Sequence, residues 1–184
     1  VCERKGQHTF IRAVAHFNRQ HAGAGRHRFL LVGGRAGVYL DLLREEITRL
    51  GIANLEIIME TREAYQYFQA ADLFVCSSFE ESFPRVLLEA MAFRTPIVST
   101  DVHGIPEMVG QRQDAYLVPP GDDLALSRMM KTCLDKERSG KTLTATAYST
   151  VLRYYDYHRV LPRHVDLARE APANPLQQFE SIDV

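Results

Sequence analysis

DLFVCSSFEESFPRVLLEAMAFRTPIVSTDVHGIPE, residues 72–107, sets a strand, a polar loop and a helix start in immediate succession. Leu73-Phe74-Val75-Cys76 is a short apolar run of the kind a buried parallel strand makes. Ser77 to Ser82 is a polar loop, and Pro84 opens a helix that carries Val86, Leu87, Ala90 and Met91. A helix N-terminus leaves backbone N–H groups unpaired and carries about half a positive charge, so this arrangement is an anion site in outline. Pro84 removes only one donor from it. Two carboxylates flank the helix start eight residues apart, Glu81 before it and Glu89 in its second turn. Like charges cannot both hold a phosphate. Each would instead accept hydrogen bonds from hydroxyl groups of a ligand whose phosphate sits between them, a sugar on one side and a ribose on the other. The alternative is a solvated loop acid and a helix-surface acid, and residue chemistry alone leaves both open.

On the N-terminal side, Thr9 to Gln20 carries Phe10, Val14 and Phe17 at helical spacing, with Ile11 and Ala15 alongside, which predicts an amphipathic packing helix. Phe29 to Val32 is an apolar run ending in Gly33-Gly34-Arg35, a buried parallel strand meeting a tight turn. Glycines there let backbone approach a ligand closely, or simply make a strand-to-helix turn. A helix over about Val38 to Leu50 turns Tyr39, Leu43, Ile47 and Leu50 inward, and Gly51 caps it before a strand over Leu55 to Met59. Glu63 to Ala71 makes a short helix that leads into the central stretch. On the C-terminal side, Pro96 to Ser99 and Ala115 to Val118 read as strands, and Asp122 N-caps a helix running to about Leu134. Five strands alternating with helices predict a doubly wound, Rossmann-like α/β fold with a parallel sheet over residues 1–140. Residues 141–170 form a C-terminal helical segment whose Tyr148, Tyr154, Tyr155 and Tyr157 suit packing better than a substrate platform. Residues 171–184 are expected to be a disordered tail.

With 184 residues, 46% of them hydrophobic, the chain suffices for one core. A net charge of −1 gives no pull toward nucleic acid or an anionic membrane. Cys2, Cys76 and Cys133 stand apart without CxxC spacing, which points to reduced thiols rather than a disulfide framework or zinc site. No run approaches the roughly 18 apolar residues of a membrane span, and no signal-peptide pattern opens the chain, so a cytoplasmic location is expected. His8, His16, His21 and His27 crowd one region without a metal-ligand spacing, and solvent-facing side chains are expected of them. No G-x-G-x-x-G follows an opening strand, which argues against a dinucleotide oxidoreductase.

Glu81-x7-Glu89 followed by AMAFRTPIVSTDVHGIPE, residues 90–107, resembles the nucleotide-sugar half of retaining GT-B glycosyltransferases, specifically family 4 (glycosyl transferases group 1). The resemblance runs from about Glu3 to Leu134. It implies a C-terminal donor-binding domain that binds a nucleoside diphosphate sugar and transfers the sugar with retention to an unidentified glycan or lipid-linked acceptor. It carries Lys5 onto the diphosphate, Glu81 onto the transferred sugar and Glu89 onto the ribose hydroxyls. The backbone around Ser82, Phe83 and Arg85 would meet phosphate oxygens. Gly33 and Gly34 would approach the donor, and Met59, Glu60, Thr61 and Arg62 would stand near the nucleobase. No metal and no cofactor are required by this arrangement.

Val1 to Gln7 resembles the segment that follows the family's first strand, which would be the central one and would then be truncated here. The resemblance further implies an N-terminal acceptor-binding domain, peripheral membrane association of the full-length enzyme, no nucleic-acid partner, and no turnover by this fragment alone. Arg94, Ser82 and Ala115 stand where the family has glycines. At a left-handed helix cap, Arg94 would carry strain on the order of 1 kcal/mol. These departures and the missing strand favour an alternative, a non-catalytic nucleotide-sugar-binding or scaffold module derived from such an enzyme.

Overall fold

A computed structural model describes residues 2–20, 26–110, 113–138 and 143–170. His21, the boundary expected near residue 140 and the tail from Ala171 lie outside these residues. A 3-10 turn, Glu3–Lys5, leads through Gly6 into α1 (Gln7–Gln20), then β1 (Phe29–Gly34), α2 (Val38–Arg49), β2 (Leu55–Met59) and α3 (Ala64–Ala70). Next come β3 (Phe74–Cys76), α4 (Arg85–Ala92), β4 (Ile97–Thr100), α5 (Ile105–Met108), β5 (Tyr116–Val118) and α6 (Asp123–Arg138). The C-terminal segment is α7 (Thr144–Thr150), a π-helical turn (Val151–Tyr155) and α8 (Tyr157–Glu170). Among the described residues no helix is long and apolar enough to cross a membrane.

Every strand pairing is parallel, as alternation with helices requires. The pairings fall into two groups, β1 with β2 and β3 with β4 and β5. Strand succession therefore runs from β1 to β2 in one group and from β3 outward in the other, the signature of a doubly wound fold about a switch point. Leu31 of β1 and Val75 of β3 pack into one hydrophobic cluster, yet no ladder joins the two strands. The strands also depart from the buried runs expected of them: Phe74 and Val75 are only half-buried, and Leu30 and Val32 of β1 are 37% and 39% exposed. Parallel strands are ordinarily covered on both faces.

Two cores clothe the strands. Phe10, Val14 and Phe17 of α1 pack with Phe29, Leu43 and Leu55, and with Leu126 and Met130 of α6. Leu87 and Met91 of α4 pack with Ile97, Val102, Ile105 and Ala147. Ala147 brings α7 into that second core, so the C-terminal segment folds back on α4 rather than standing away from it.

The end of α4 shows what replaces a family glycine. Arg94 has φ 56°, the left-handed region, while its N–H donates to Met91 O (3.1 Å) and the Thr95 N–H donates to Ala90 O (2.9 Å). That pair of bonds is a Schellman motif, with Arg94 at the position glycine usually takes. Its guanidinium lies 4.3 Å from the centre of the Tyr148 ring, a cation–π contact that ties the cap to α7.

Candidate active site

Ligands of open α/β sheets bind outside the carboxyl ends of the strands, at the switch point. Here that place is formed by the Glu3–Lys5 turn and the loop from Ser77 to Pro84. Gly6 (φ 62°) turns the chain into α1, and a Cβ there would stand 2.0 Å from Ser77 O, so only glycine allows this approach. The Phe79 N–H donates to Arg4 O (2.8 Å), and Ser77 Oγ donates to Lys5 O (3.2 Å), fixing the turn to the loop.

The result is a contact between two residues 76 positions apart, in which Lys5 Nζ forms an ion pair with Glu81 Oε1. Glu81 is 8% exposed, whereas the lysine remains 38% exposed. Ser78 Oγ donates to the same carboxylate oxygen (2.8 Å), and Thr100 Oγ1 donates to Ser78 O (2.6 Å), so β4 braces the loop from beneath. Ser78 was not singled out from the sequence. Its only sequence signal is its position three residues before Glu81.

Pro84 proves to be the N-cap of α4 rather than its first helical residue, and no side chain caps the helix. Of the first backbone N–H groups of α4, that of Leu87 donates to Pro84 O (3.0 Å), and the helix dipole sets positive potential at this end. Ser82, Phe83 and Arg85 surround this end and are exposed. The Phe83 ring meets Tyr155 edge-on at 5.8 Å, so one of the C-terminal tyrosines borders the site after all. Glu89 lies on the next turn, exposed to solvent. The two acids therefore differ: one is buried and paired, the other open.

Gly104 has unremarkable dihedrals (φ −76°, ψ −6°) and is required for space, since a Cβ would stand 1.8 Å from Ser82 O. Its N–H donates to Glu81 O (3.1 Å). The loop after β4 thus closes on the backbone beside Glu81.

Gly33, Gly34, Met59 and Arg62 gather at the tips of β1 and β2. The register steps from Val32 opposite Ile58 to Gly34 opposite Met59, with Gly33 at φ 99° and open space around it. Such a bulge bends the strand, and Gly34 is buried, with Ile57 Cγ2 3.0 Å from where a Cβ would stand. Met59 is 45% exposed and Arg62 is exposed. Arg35 adds a group not anticipated, because its guanidinium donates two hydrogen bonds, 2.9 and 2.6 Å, to Glu60. That fork holds the Glu60 carboxyl below the usual carboxylate range and raises the Arg35 guanidinium above its own.

Of the four clustered histidines, the three described ones are partnered rather than solvent-facing. His8 Nδ1 lies 3.2 Å from the Tyr39 hydroxyl and its ring stacks on Phe79, His16 pairs with Asp123 at 3.3 Å, and His27 meets Phe17 edge-on. Among the described residues no group of three His, Cys, Asp or Glu is placed to hold a metal ion. A groove of about 510 Å³ runs between α1 and α2, lined by Glu3, His8, Arg12, Tyr39, Glu46 and Arg49 among others, to one side of Lys5 and Glu81.

Residues 1–136 match the family described as glycosyl transferases group 1. The chain is 28% identical over 177 residues to D-inositol 3-phosphate glycosyltransferase of Corynebacterium urealyticum, covering 93% of this chain and 41% of that protein. It is 39% identical over 98 residues to the protein of the same name from Mycobacteroides abscessus, covering 50% of this chain and 22% of that one. In fold it is similar to HepE of Anabaena, solved with UDP and glucose, with a TM-score of 0.83 at 25% identity, covering 92% of this chain and 46% of that one. HepE has also been solved with UDP-glucose. The chain spans less than half the length of each of these relatives.

Proposed function

The chain belongs to the glycosyl transferases group 1 family, and from that premise we propose that it is the nucleotide-sugar-binding half of a retaining, family 4 glycosyltransferase. The observation that supports this reading most is Lys5 held on Glu81 at the open N-terminus of α4, at the carboxyl ends of parallel strands. A diphosphate laid across that helix end meets backbone N–H donors and the Lys5 ammonium. Glu81 lies on one side for the transferred sugar and Glu89 on the other for the ribose. The base extends toward Gly33, Gly34, Met59 and Arg62.

In this reading the domain's catalytic contribution is stabilisation of charge on the departing diphosphate by Lys5 and the α4 amides. The sugar is attacked from the face the phosphate leaves, which preserves its configuration. Neither Glu81 nor Glu89 becomes covalently bonded to the sugar, and the site calls for no metal and no other cofactor. An N-terminal domain upstream of Val1 supplies the acceptor site, and the full-length enzyme works in the cytoplasm, where peripheral membrane association would bring it to lipid-linked acceptors. Nucleic acid has no part in the reaction. The alternative, a non-catalytic sugar-nucleotide module, draws on Ser82, Arg94 and Ala115 standing where the family has glycines. A transfer assay on the chain together with its upstream residues separates the two.

The direct test is calorimetric titration with UDP and UDP-glucose. Wild type is expected to bind both, and Lys5→Ala to weaken both by about ten-fold, the worth of one charge-assisted hydrogen bond. Lys5→Ala binding as tightly as wild type would remove Lys5 from the diphosphate site.

A further inference from the structure

The turn after β4 carries a side chain the fold does not use. Val102 and Ile105 bury their side chains in the second core, and the Ile105 N–H donates to Val102 O (3.0 Å), closing a tight turn with His103 and Gly104 at its centre. His103 occupies the first central position with φ 43°, in the left-handed region. Glycine takes a positive φ there most cheaply, and a residue with a Cβ is strained. The imidazole is exposed, so packing does not compensate.

Its surroundings give the position meaning. His103 is joined to Gly104, whose N–H is bonded to Glu81 O and whose Cα lies hard against Ser82 O. Asp101 is tied to β5 through its N–H on Val118 O (2.8 Å). The turn is therefore clamped at both ends, and its tip stands at the carboxyl end of β4, beside the loop that carries Glu81. Strained backbone held rigidly next to a ligand site is a recurrent way of presenting a polar group.

Resting on the donor-site reading above, we propose that His103 is a specificity residue for the transferred sugar, its imidazole hydrogen-bonding a sugar hydroxyl beside Glu81. Both ring nitrogens suit that task, one as donor and the other as acceptor. Its neighbour Gly104 is bonded to the backbone of Glu81, the acid assigned to the sugar, so its contribution is to the sugar.

The test compares His103→Gly, His103→Asn and Glu89→Gln with wild type by titration with UDP and UDP-glucose, alongside thermal melts. Glycine relieves the backbone and deletes the imidazole. Asparagine tolerates a positive φ and keeps a donor and an acceptor. His103→Gly is expected to melt no lower than wild type, to bind UDP unchanged and to bind UDP-glucose about three- to ten-fold more weakly. His103→Asn should recover part of that loss. If His103→Gly binds UDP-glucose as wild type does while Glu89→Gln has lost UDP, the donor site stands and the role of His103 falls. Equal weakening of UDP and UDP-glucose by His103→Gly also overturns it, since the effect would then be on the loop and not the sugar. Glu89→Gln binding UDP as wild type does, or wild type binding neither ligand, overturns the donor-site reading and the inference with it.

Discussion

Glu81 and Glu89 carry the same functional group in unlike surroundings, and substitutions should separate them. Glu89 is exposed on α4, so Glu89→Gln keeps shape and packing while losing charge and one acceptor oxygen. UDP binding should weaken about ten-fold or more, since hydrogen bonds to a charged group are worth roughly 1.5–3 kcal/mol. The melting temperature should hardly move. Glu81 is buried and holds Lys5 and Ser78 together, so Glu81→Gln should weaken UDP-glucose more than UDP and also lower stability. Lys5 is partly exposed, which limits that loss to on the order of 1 kcal/mol, about 2–4 °C in melting temperature. Titration and thermal melts of both variants check this, and an unshifted Glu81→Gln melt would mean the ion pair contributes nothing to the fold.

At the scale of elements, α4 is held at both ends by devices of opposite cost. Its start has no side-chain cap, while its end is closed by a Schellman motif with Arg94 in a conformation that favours glycine. Stacking of Arg94 on Tyr148 offsets part of the strain. Arg94→Ala keeps the strain and loses the stacking, and should destabilise by about 0.5–1 kcal/mol. Arg94→Gly loses the stacking but releases on the order of 1 kcal/mol of strain, and should lie close to wild type. Urea midpoints measure the difference. Two equally destabilised variants would show that the left-handed cap carries no strain. Arg94 lies at the far end of α4 from Lys5 and Glu81, so this departure from the family pattern bears on stability rather than on donor binding.

For the molecule as a whole, the division of the strands into two groups, β1 with β2 and β3 with β4 and β5, is the dominant feature. A further parallel strand laid between the groups, as expected from the sequence, would lower the exposure of Leu30 and Val32, each apolar side chain being worth about 1.5–3 kcal/mol on full burial. Extension of the chain by its upstream residues should therefore raise the melting temperature and slow amide exchange in β1 and β3. An extended chain with unchanged melting and unchanged exchange would refute a strand at that position.

Apart from the short α5, the sequence alone determined the order and kind of the elements from Gln7 to Arg138, because apolar period and punctuation by glycine and proline are local properties of the chain. It also determined that Glu81 and Glu89 flank a helix start, since eight residues across a loop and one helical turn leave little choice. The half-exposure of β3 could not be read there, because an apolar run records a tendency to be buried and not which elements come to cover it. The pairing of Lys5 with Glu81, the closure of Gly104 on Ser82 and the stacking of Arg94 on Tyr148 were decided only by tertiary structure. Each joins segments whose proximity depends on strand order and crossover direction. Those follow from how apolar faces share one core, and no local pattern records which side chain arrives opposite which.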